Sequence, residues 1–360
     1  EPWRRWQNTL AHVRAREEKL LAKTPAIARL SEASLRGYLE RQKVKGQEVE
    51  TYSINDIKVG PTVPPAVKTA LMKILKDNEQ VFQKKKGELP TPILAADGSV
   101  YKVSFPFKVG MGPVRCRAPE YPPNSAKRKF LEKWTDDALA AGLIGPASNT
   151  RWAARVLTVG KYTMNDSRLK EIPDGIRVVN DFSRTNDVIQ KQTPVAPHTH
   201  LEMQKLSGQK YFWQADAAQS YWSFVLNDEA SESTSVWLPH KGRTRLFKFL
   251  RLPMGSINSS SVVQTRYCEA IANQLSAEGR AQVASMADDF VGYANTFEQL
   301  LRIFKEFLEM CAKVRITLRP DKVRWGHEDV EFFGFKFSKD GTCPTARNLD
   351  PIRKLQVPTT

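Results

Sequence analysis

The stretch QVASMADDFVGYA, residues 282–294, decides the fold of this chain. Two short apolar runs flank the pair Asp288-Asp289, and this pattern predicts a tight β-hairpin with two carboxylates at its tip. Burying two adjacent charges without a partner is unfavourable, so the apolar flanks indicate that a metal ion neutralises the pair. The other acidic pair, Asp136-Asp137, lies in a polar helical segment and is predicted to face solvent.

The elements around this hairpin follow the order β-α-β-β-α-β, which is that of the split-βαβ, ferredoxin-like fold. They are predicted at 210–216 (strand), 257–275 (helix), 282–287 and 290–294 (strands), 297–313 (helix) and 330–338 (strand). Crossover connections of this kind are right-handed, which places the end of the first strand and the hairpin tip at one edge of the sheet. Asp216 is therefore expected beside Asp288 and Asp289.

Three neighbouring carboxylates repel one another and resist deprotonation, and bound cations relieve this repulsion. Hard oxygen ligands select Mg²⁺, with Mn²⁺ as an alternative. Two such ions about 3.5–4 Å apart are the standard apparatus of in-line phosphoryl transfer. The pattern thus predicts two Mg²⁺ ions held by Asp216, Asp288 and Asp289.

The charge of the chain indicates a polyanionic partner. Its 360 residues contain 55 Lys and Arg against 39 Asp and Glu, a formal net charge of +16. Nucleic acid is the expected partner, although a basic mitochondrial or ribosomal protein would have a similar balance. The four cysteines form no CxxC pair, which is typical of free thiols in a reducing compartment. No apolar run is long enough to cross a membrane, and no signal peptide is visible.

The remaining segments are predicted from local signals. A basic, helical extension is expected at the N-terminus, followed by a linker at 58–65 and a helix that begins at Pro65. A second helix is expected between a cap at Asn124 or Ser125 and a stop at Gly142. A polar loop, 160–175, is expected to join two strand-like runs.

Several motifs occur in one order along the chain and together resemble those of a known family. They are RVVNDFSRTN (177–186), YFWQADAAQSYW (211–222), FLRLPMGSINSSSVVQ (249–264), MADD (286–289), ITLRPDKV (316–323) and FFGFKFSKDGTCP (332–344). From about residue 66 onward the chain resembles the reverse transcriptases of gypsy-like (metavirus) LTR retrotransposons. The resemblance implies an RNA-directed DNA polymerase that extends a DNA or RNA primer on an RNA template with dNTPs.

The implied fold is α+β: the fingers and palm of a right-hand polymerase, with the ferredoxin-like core in the palm. The expected divisions are a helical N-terminal extension and linker (1–64), lead-in helices and fingers (65–195), a palm (196–345) with a fingers insertion at about 222–250, and the start of a truncated thumb (346–360). Since the chain begins at Glu1 rather than Met, it is interpreted as processed or as a fragment. Thumb, RNase H, protease and integrase domains would normally accompany it. The expected location is the cytoplasm, in a retroelement particle, or the nucleus.

The resemblance assigns roles to individual residues. The catalytic and metal-binding residues would be Asp216, Asp288 and Asp289. The dNTP-binding residues would be Arg177, Lys161, Tyr221, Gly255 and Lys322. The nucleic-acid-binding residues would be Asn258, Phe333, Gly334 and Phe335.

Within these groups, Tyr221 would be a steric gate whose ring excludes a ribose 2′-hydroxyl. Arg177, with Lys161 as a second cation, would contact the triphosphate, and Lys322 would lie near the pyrophosphate. The hairpin that contains Phe333 would grip the primer.

Departures from the family pattern keep alternatives open. Met286 replaces the usual Tyr before the acidic pair, and Ser260 replaces a Pro that is common after Asn258. These changes are compatible with a catalytically inactive or co-opted copy that serves as a nucleic-acid-binding or structural protein. A viral RNA-dependent RNA polymerase, which shares the palm, is disfavoured by Tyr221 at the gate position.

Overall fold

The computed structural model describes residues 35–36, 39–40, 50–165, 168–194, 198–346 and 348–349, without the side chains of 160–165 and 168–175. Most of the predicted helical extension and of the thumb start at 346–360 therefore lies outside the described residues. In the described part of the chain, no helix combines the length and hydropathy needed to cross a bilayer.

Both helices and strands occur along the chain from residue 50 onward. The α-helices there are α1 (Pro65–Asp77), α2 (Ala126–Ala140), α3 (Ser183–Val188), α4 (Thr199–Leu206), α5 (Asp228–Ser233), α6 (Ser259–Gln274), α7 (Ala277–Gln282) and α8 (Phe297–Val314). The strands are β1 (Lys58–Val59), β2 (Lys102–Val103), β3 (Ile144–Pro146), β4 (Arg155–Asn165), β5 (Arg168–Asp181), β6 (Tyr211–Asp216), β7 (Val225–Leu226), β8 (Val236–His240), β9 (Arg243–Phe249), β10 (Val283–Met286), β11 (Asp289–Ala294), β12 (Arg324–His327), β13 (Asp329–Phe332), β14 (Phe335–Ser338) and β15 (Gly341–Pro344).

The residues from 50 onward form two compact units. Unit 1 contains Ser104–Lys191 and Leu226–Ile257, and unit 2 contains the rest. The segment 65–103 thus lies in unit 2, whereas the sequence boundaries grouped it with the fingers. The reason is tertiary: α1 packs against α8, and its leucines Leu71 and Leu75 are fully buried.

Unit 2 is built on a five-stranded sheet with the order β1-β12-β6-β11-β10. Strand β11 is antiparallel to both of its neighbours, β6 and β10, and β12 is antiparallel to β6. The predicted β-α-β-β-α-β order is present as β6, α6, β10, β11, α8 and β12. Strands β6 and β10 therefore run in the same direction and end at the same edge.

The prediction that residues 330–338 form the last strand of this core is wrong. The core strand is β12, and the segment 330–338 instead supplies β13 and β14 of a separate three-stranded sheet completed by β15. The short β12 carries a single large apolar core residue, the fully buried Trp325. Its four residues show too little alternation of apolar and polar side chains to predict a strand, whereas residues 330–338 show more of it.

The predicted linker at 58–65 is also wrong in part. Lys58 and Val59 pair in parallel with β12 as the edge strand β1, and the Gly60 amide donates to the Trp325 carbonyl at 2.8 Å. A Cβ atom on Gly60 would overlap the Gly326 carbonyl, so the backbones approach closely here. Two residues are too few to show a strand period in a sequence.

Helix α8 covers one face of the sheet in unit 2. Its predicted apolar face is buried, with the exception of the partly buried Leu301; the buried members are Leu300, Phe304, Phe307, Leu308 and Cys311. Thr296 caps the helix by accepting from the Gln299 amide at 3.2 Å. The reciprocal half of the predicted capping box is replaced, because the Gln299 side chain donates to Glu278 on α7.

Unit 1 contains α2, the sheet β3-β9-β8 and the hairpin β4-β5. Of the two cap candidates, Ser125 is the one that caps α2, and Gly142, in the left-handed region, follows the end of the helix as predicted. Asp136 and Asp137 are exposed, also as predicted. The expected loop at 160–175 is wrong, because the paired backbones of β4 and β5 continue through most of it.

Gly292 lies opposite the fully buried Trp213, and a Cβ atom at Gly292 would overlap the indole ring. We expect Gly292→Ala to lower the free energy of unfolding by about 1–3 kcal/mol, because a packed core resists added volume. Urea unfolding checks this. Gly112→Ala, in open space, is the control, and equal effects from the two changes would contradict the packing account.

Candidate active site

Three aspartates meet at one edge of the sheet in unit 2. Asp216 ends β6 and Asp289 begins β11, and the two residues are direct partners across the strands. Residues paired in this way have Cβ atoms about 4.5–5.5 Å apart. Asp288 precedes Asp289 in the turn, and its carbonyl accepts from the Ala217 amide at 2.8 Å. The strand register therefore brings all three carboxylates together.

The turn that carries Asp288 is a two-residue connection between β10 and β11. Its first residue, Ala287, has φ 54°, in the left-handed region that favours glycine. The buried side chain of Gln264 on α6 holds this turn: its Oε1 accepts from the Ala287 amide at 2.7 Å, and its Nε2 donates to the Ser285 carbonyl at 3.3 Å. The roles assigned from the sequence did not include Gln264, although it ends one of the quoted motifs.

The triad is electrostatically strained. Burial, together with the nearby Asp288 and Asp289 carboxylates, raises the pKa of Asp216 to about 7, against the opposing effect of Arg319 and Lys322. Burial and Asp288 also raise the pKa of Asp289. Close carboxylates with raised pKa values are therefore the main electrostatic feature of this edge.

The residues fit a divalent cation by donor chemistry rather than by a preformed shell. As the side chains stand, the described part of the chain contains no group of three or more His, Cys, Asp or Glu residues arranged to hold a metal ion. The carboxylate oxygens are nevertheless the ligands that Mg²⁺ prefers, and a cation would lower the raised pKa of Asp216.

A cavity of about 330 Å³ lies beside the triad. Its lining residues are Lys58, Gln214, Asp216, Asp289, Asp321, Lys322 and Arg324. Asp321 is paired with Arg319 at 2.7 Å. The sequence-predicted Lys322 is thus brought to the same cavity as Asp216 and Asp289.

Tyr221 is placed in the same unit, in a short 3₁₀ turn (Ser220–Ser223) that follows β6. Its side chain is partly exposed, and its hydroxyl lies 3.1 Å from the Ser260 hydroxyl on α6. The ring is therefore accessible, as a steric gate requires, and it is held at its far end.

Residues 165–337 match the family described as reverse transcriptase (RNA-dependent DNA polymerase). They form a reverse transcriptase domain. The chain is 25% identical over 182 residues to the retrovirus-related Pol polyprotein from transposon gypsy of Drosophila melanogaster, covering 51% of this chain and 17% of that protein. It is 22% identical over 258 residues to the Gag-Pol polyprotein of gibbon ape leukemia virus, covering 71% and 14%. The chain thus spans less than a fifth of either relative.

A solved structure supports the same fold for this reverse transcriptase domain. The foamy viral protease-reverse transcriptase in complex with RNA/DNA hybrid superposes with a TM-score of 0.63 at 18% identity, covering 87% of this chain and 39% of that chain. This similarity confirms the predicted α+β fold of fingers and palm.

The hairpin tip between β13 and β14 lies in unit 2 of the domain. Phe333 and Gly334 both have positive φ, 52° and 77°. The Gly334 carbonyl accepts from the Thr345 amide and hydroxyl, both at 3.1 Å, and from Asn348 Nδ2 at 2.9 Å. Phe335 is partly buried against the apolar cluster under this sheet. The tip is therefore held in one conformation with Gly334 exposed.

The nucleic-acid contact expected of Asn258 stays a prediction. Asn258 is fully buried, and its Oδ1 accepts from the Gln192 amide at 2.9 Å. The residue precedes α6 and ties the start of that helix to the preceding segment. The side chain thus makes a structural hydrogen bond in this protein, which the polar type of the residue alone could not predict.

Two sequence-predicted residues of the domain lie in unit 1. Arg177 is on β5 opposite Val159. Gly255 has φ 99°, and its carbonyl accepts from Asn186 Nδ2 at 2.9 Å while Asn186 Oδ1 accepts from the Ile257 amide at 2.8 Å. Asn186, the last residue of one quoted motif, thus fixes the loop around Gly255.

Lys161 is on β4, and its side chain lies outside the described residues. Its assignment to the triphosphate stays a prediction.

Asp216→Asn removes one of the repelling carboxylates. Because the pKa of folded Asp216 is raised to about 7 from 3.8, the folded protein binds more protons than the unfolded chain between those pH values, and stability falls as pH rises through them. In EDTA at pH 8 we expect the melting temperature of the variant to be several degrees above that of the unaltered protein. Near pH 4 the two melting temperatures should be equal.

Thermal unfolding followed by circular dichroism at several pH values checks this expectation. Asp137→Asn, at an exposed carboxylate of α2, is the matched control. If both variants showed the same dependence of melting temperature on pH, charge repulsion at Asp216 would be contradicted.

Proposed function

We propose that this chain is the polymerase part of a Pol polyprotein from a gypsy-like LTR retrotransposon. It extends a DNA or RNA primer on an RNA template with dNTPs. The observation that carries the proposal is the meeting of Asp216, Asp288 and Asp289 at one edge of the palm sheet, inside a reverse transcriptase domain. The names of the relatives support the subfamily: the transposons gypsy and 412 are both among them.

Asp216, Asp288 and Asp289 would hold two Mg²⁺ ions, and Mn²⁺ is a suitable replacement. When bound, such ions supply charge stabilisation and an activated 3′-hydroxyl for in-line transfer. The chain itself supplies the three carboxylates of this edge, and the raised pKa of Asp216 means that binding of a cation there would release a proton near neutral pH. The Lys322 ammonium, which lines the same cavity, would face the pyrophosphate.

The substrate contacts follow from residue chemistry. The ring of Tyr221 would abut C2′ of the incoming sugar, leaving no room for a 2′-hydroxyl. The planar guanidinium of Arg177 suits bidentate binding of phosphate oxygens, with Lys161 as the second cation. The rigid tip at Phe333 and Gly334 would contact the primer backbone, and the net charge of +16 favours phosphate contacts without sequence readout.

A second candidate function is a co-opted, non-catalytic nucleic-acid-binding protein. The departure at Met286, whose side chain is exposed next to the acidic turn, favours this alternative. The intact triad favours catalysis, and metal-dependent activity separates the two functions.

Primer extension on an RNA template with dNTPs and Mg²⁺ tests the proposed activity. We expect Asp288→Asn to reduce extension by at least about a hundredfold, because it removes one carboxylate from the metal-binding edge. Asp137→Asn should leave extension unchanged. Absence of activity in the unaltered protein with either Mg²⁺ or Mn²⁺, together with retained binding of an RNA/DNA hybrid, would favour the non-catalytic function.

Tyr221→Ala should admit ribonucleotides, because the shorter side chain leaves space at C2′ of the sugar. We expect the ratio of kcat/KM for dATP to kcat/KM for ATP to fall by at least about tenfold, mainly through a higher value for ATP. Single-nucleotide incorporation measures both values. An unchanged ratio would contradict the assignment of Tyr221 as the gate.

A further inference from the structure

One face of α6 contacts both functional elements of unit 2. Ser260 and Gln264 are four residues apart, one helical turn, and therefore lie on the same face of the helix. The Ser260 hydroxyl lies 3.1 Å from that of Tyr221, and Gln264 holds the amide of Ala287 in the metal-binding turn. A single rigid helix thus spans the distance between the sugar gate and the acidic turn.

We propose that Ser260 and Gln264 are positioning residues that set sugar selection and carboxylate placement through α6. Ser260 fixes the ring of Tyr221, and Gln264 fixes the turn that presents Asp288. This inference rests on the proposed function for its meaning in catalysis. The contacts themselves, and the metal affinity that Gln264 controls, do not require turnover.

Gln264 satisfies a turn that the hairpin cannot satisfy by itself. Ala287 is in the left-handed region, which is unfavourable for any residue with a Cβ atom. Its amide points at Gln264 Oε1, while Gln264 Nε2 donates to the carbonyl of Ser285 on β10. The amide group of Gln264 thus ties both sides of the bend to one helix, and the side chain is buried.

Ser260 acts on a ring that has no other hydrogen bond among the described residues. Tyr221 follows β6 in a short 3₁₀ turn, and the Ser260 hydroxyl is the partner of its phenol. Pro is common at this place in the sequences that the chain resembles, and Pro has no hydroxyl. The contact is therefore a property of this chain, and it limits rotation of the ring that faces the sugar.

The start of α6 is anchored, so the contact is made from a fixed point. Asn258 accepts from the amide of Gln192 at 2.9 Å, and the hydroxyl of Ser261 donates to the carbonyl of Gln192 at 3.1 Å. Ser260 lies between these two tied residues and is exposed. Its hydroxyl is consequently free to serve Tyr221 rather than the helix.

Sugar selection tests the role of Ser260. We expect Ser260→Ala to reduce the kcat/KM preference for dATP over ATP by about 3- to 10-fold, the effect of losing one hydrogen bond. Ser260→Thr, which keeps the hydroxyl, should retain the preference, and the matched control Ser261→Ala should leave it unchanged. In a Tyr221→Phe background, Ser260→Ala should have no further effect.

An unchanged preference in Ser260→Ala, or an equal loss in the Tyr221→Phe background, would overturn the role of Ser260. A loss of the same size in Ser261→Ala would assign the effect to the helix start instead.

Metal affinity tests the role of Gln264 without catalysis. Titration of the protein with Mn²⁺, followed by electron paramagnetic resonance, should show at least about tenfold weaker binding for Gln264→Met, which keeps the side-chain length but loses the amide. Gln264→Asn, which keeps an amide that is too short to reach Ala287, should behave alike and serves if the Met variant does not fold. Gln274→Met, at the end of the same helix, is the matched control.

The outcomes separate this inference from the proposed function. Weaker Mn²⁺ binding in a protein that extends no primer would support the positioning role and count against the polymerase. Unaltered Mn²⁺ binding in Gln264→Met and Gln264→Asn would overturn the positioning role, even if the unaltered protein is an active polymerase.

Discussion

The antiparallel pairing of β6 with β11 is the constraint on which the candidate site depends. Its register makes Asp289 the direct partner of Asp216, and the adjoining turn adds Asp288. A shift of one residue would turn every side chain of one strand to the opposite face, so the same register also decides which residues reach the core. The strand register that positions the site is therefore the same register that decides the packing of the palm core.

The core beneath the sheet stabilises this register. Trp213 of β6 is fully buried, lies over Gly292 of β11, and packs against Phe304 and Phe307 of α8 at ring distances of 5.2 and 4.5 Å. A slipped register would move the indole away from the only kind of residue that leaves room for it. Aromatic packing on one face of the sheet thus places carboxylates at its edge, where burial makes them unfavourable without a cation.

Much of the palm was predictable because its signals are local and strong. The helix α8 has a wide apolar face, and the runs around Asp288 have clear flanks, so the order of elements and the meeting of the triad followed from general rules of chain connection. The predictions failed where the signal was short. Strands β1 and β12 contain two and four residues, and their pairing depends on partners distant in sequence. The prediction of a loop at 160–175 was wrong because a polar composition does not exclude a β-hairpin.

The roles of individual residues also divide into those that the sequence predicts and those that depend on tertiary contacts. The sequence by itself determined the acidic pair, the candidate gate at Tyr221, the basic balance of the chain and the resemblance to reverse transcriptases, because these depend on residue types in a fixed order. Only the tertiary structure decided that Asn258 is a buried tie, that Gln264 holds the acidic turn and that Ser260 meets Tyr221. Each of these depends on the distance between residues from separate elements. The packing of α6 on the sheet sets these distances, and a sequence pattern does not contain them.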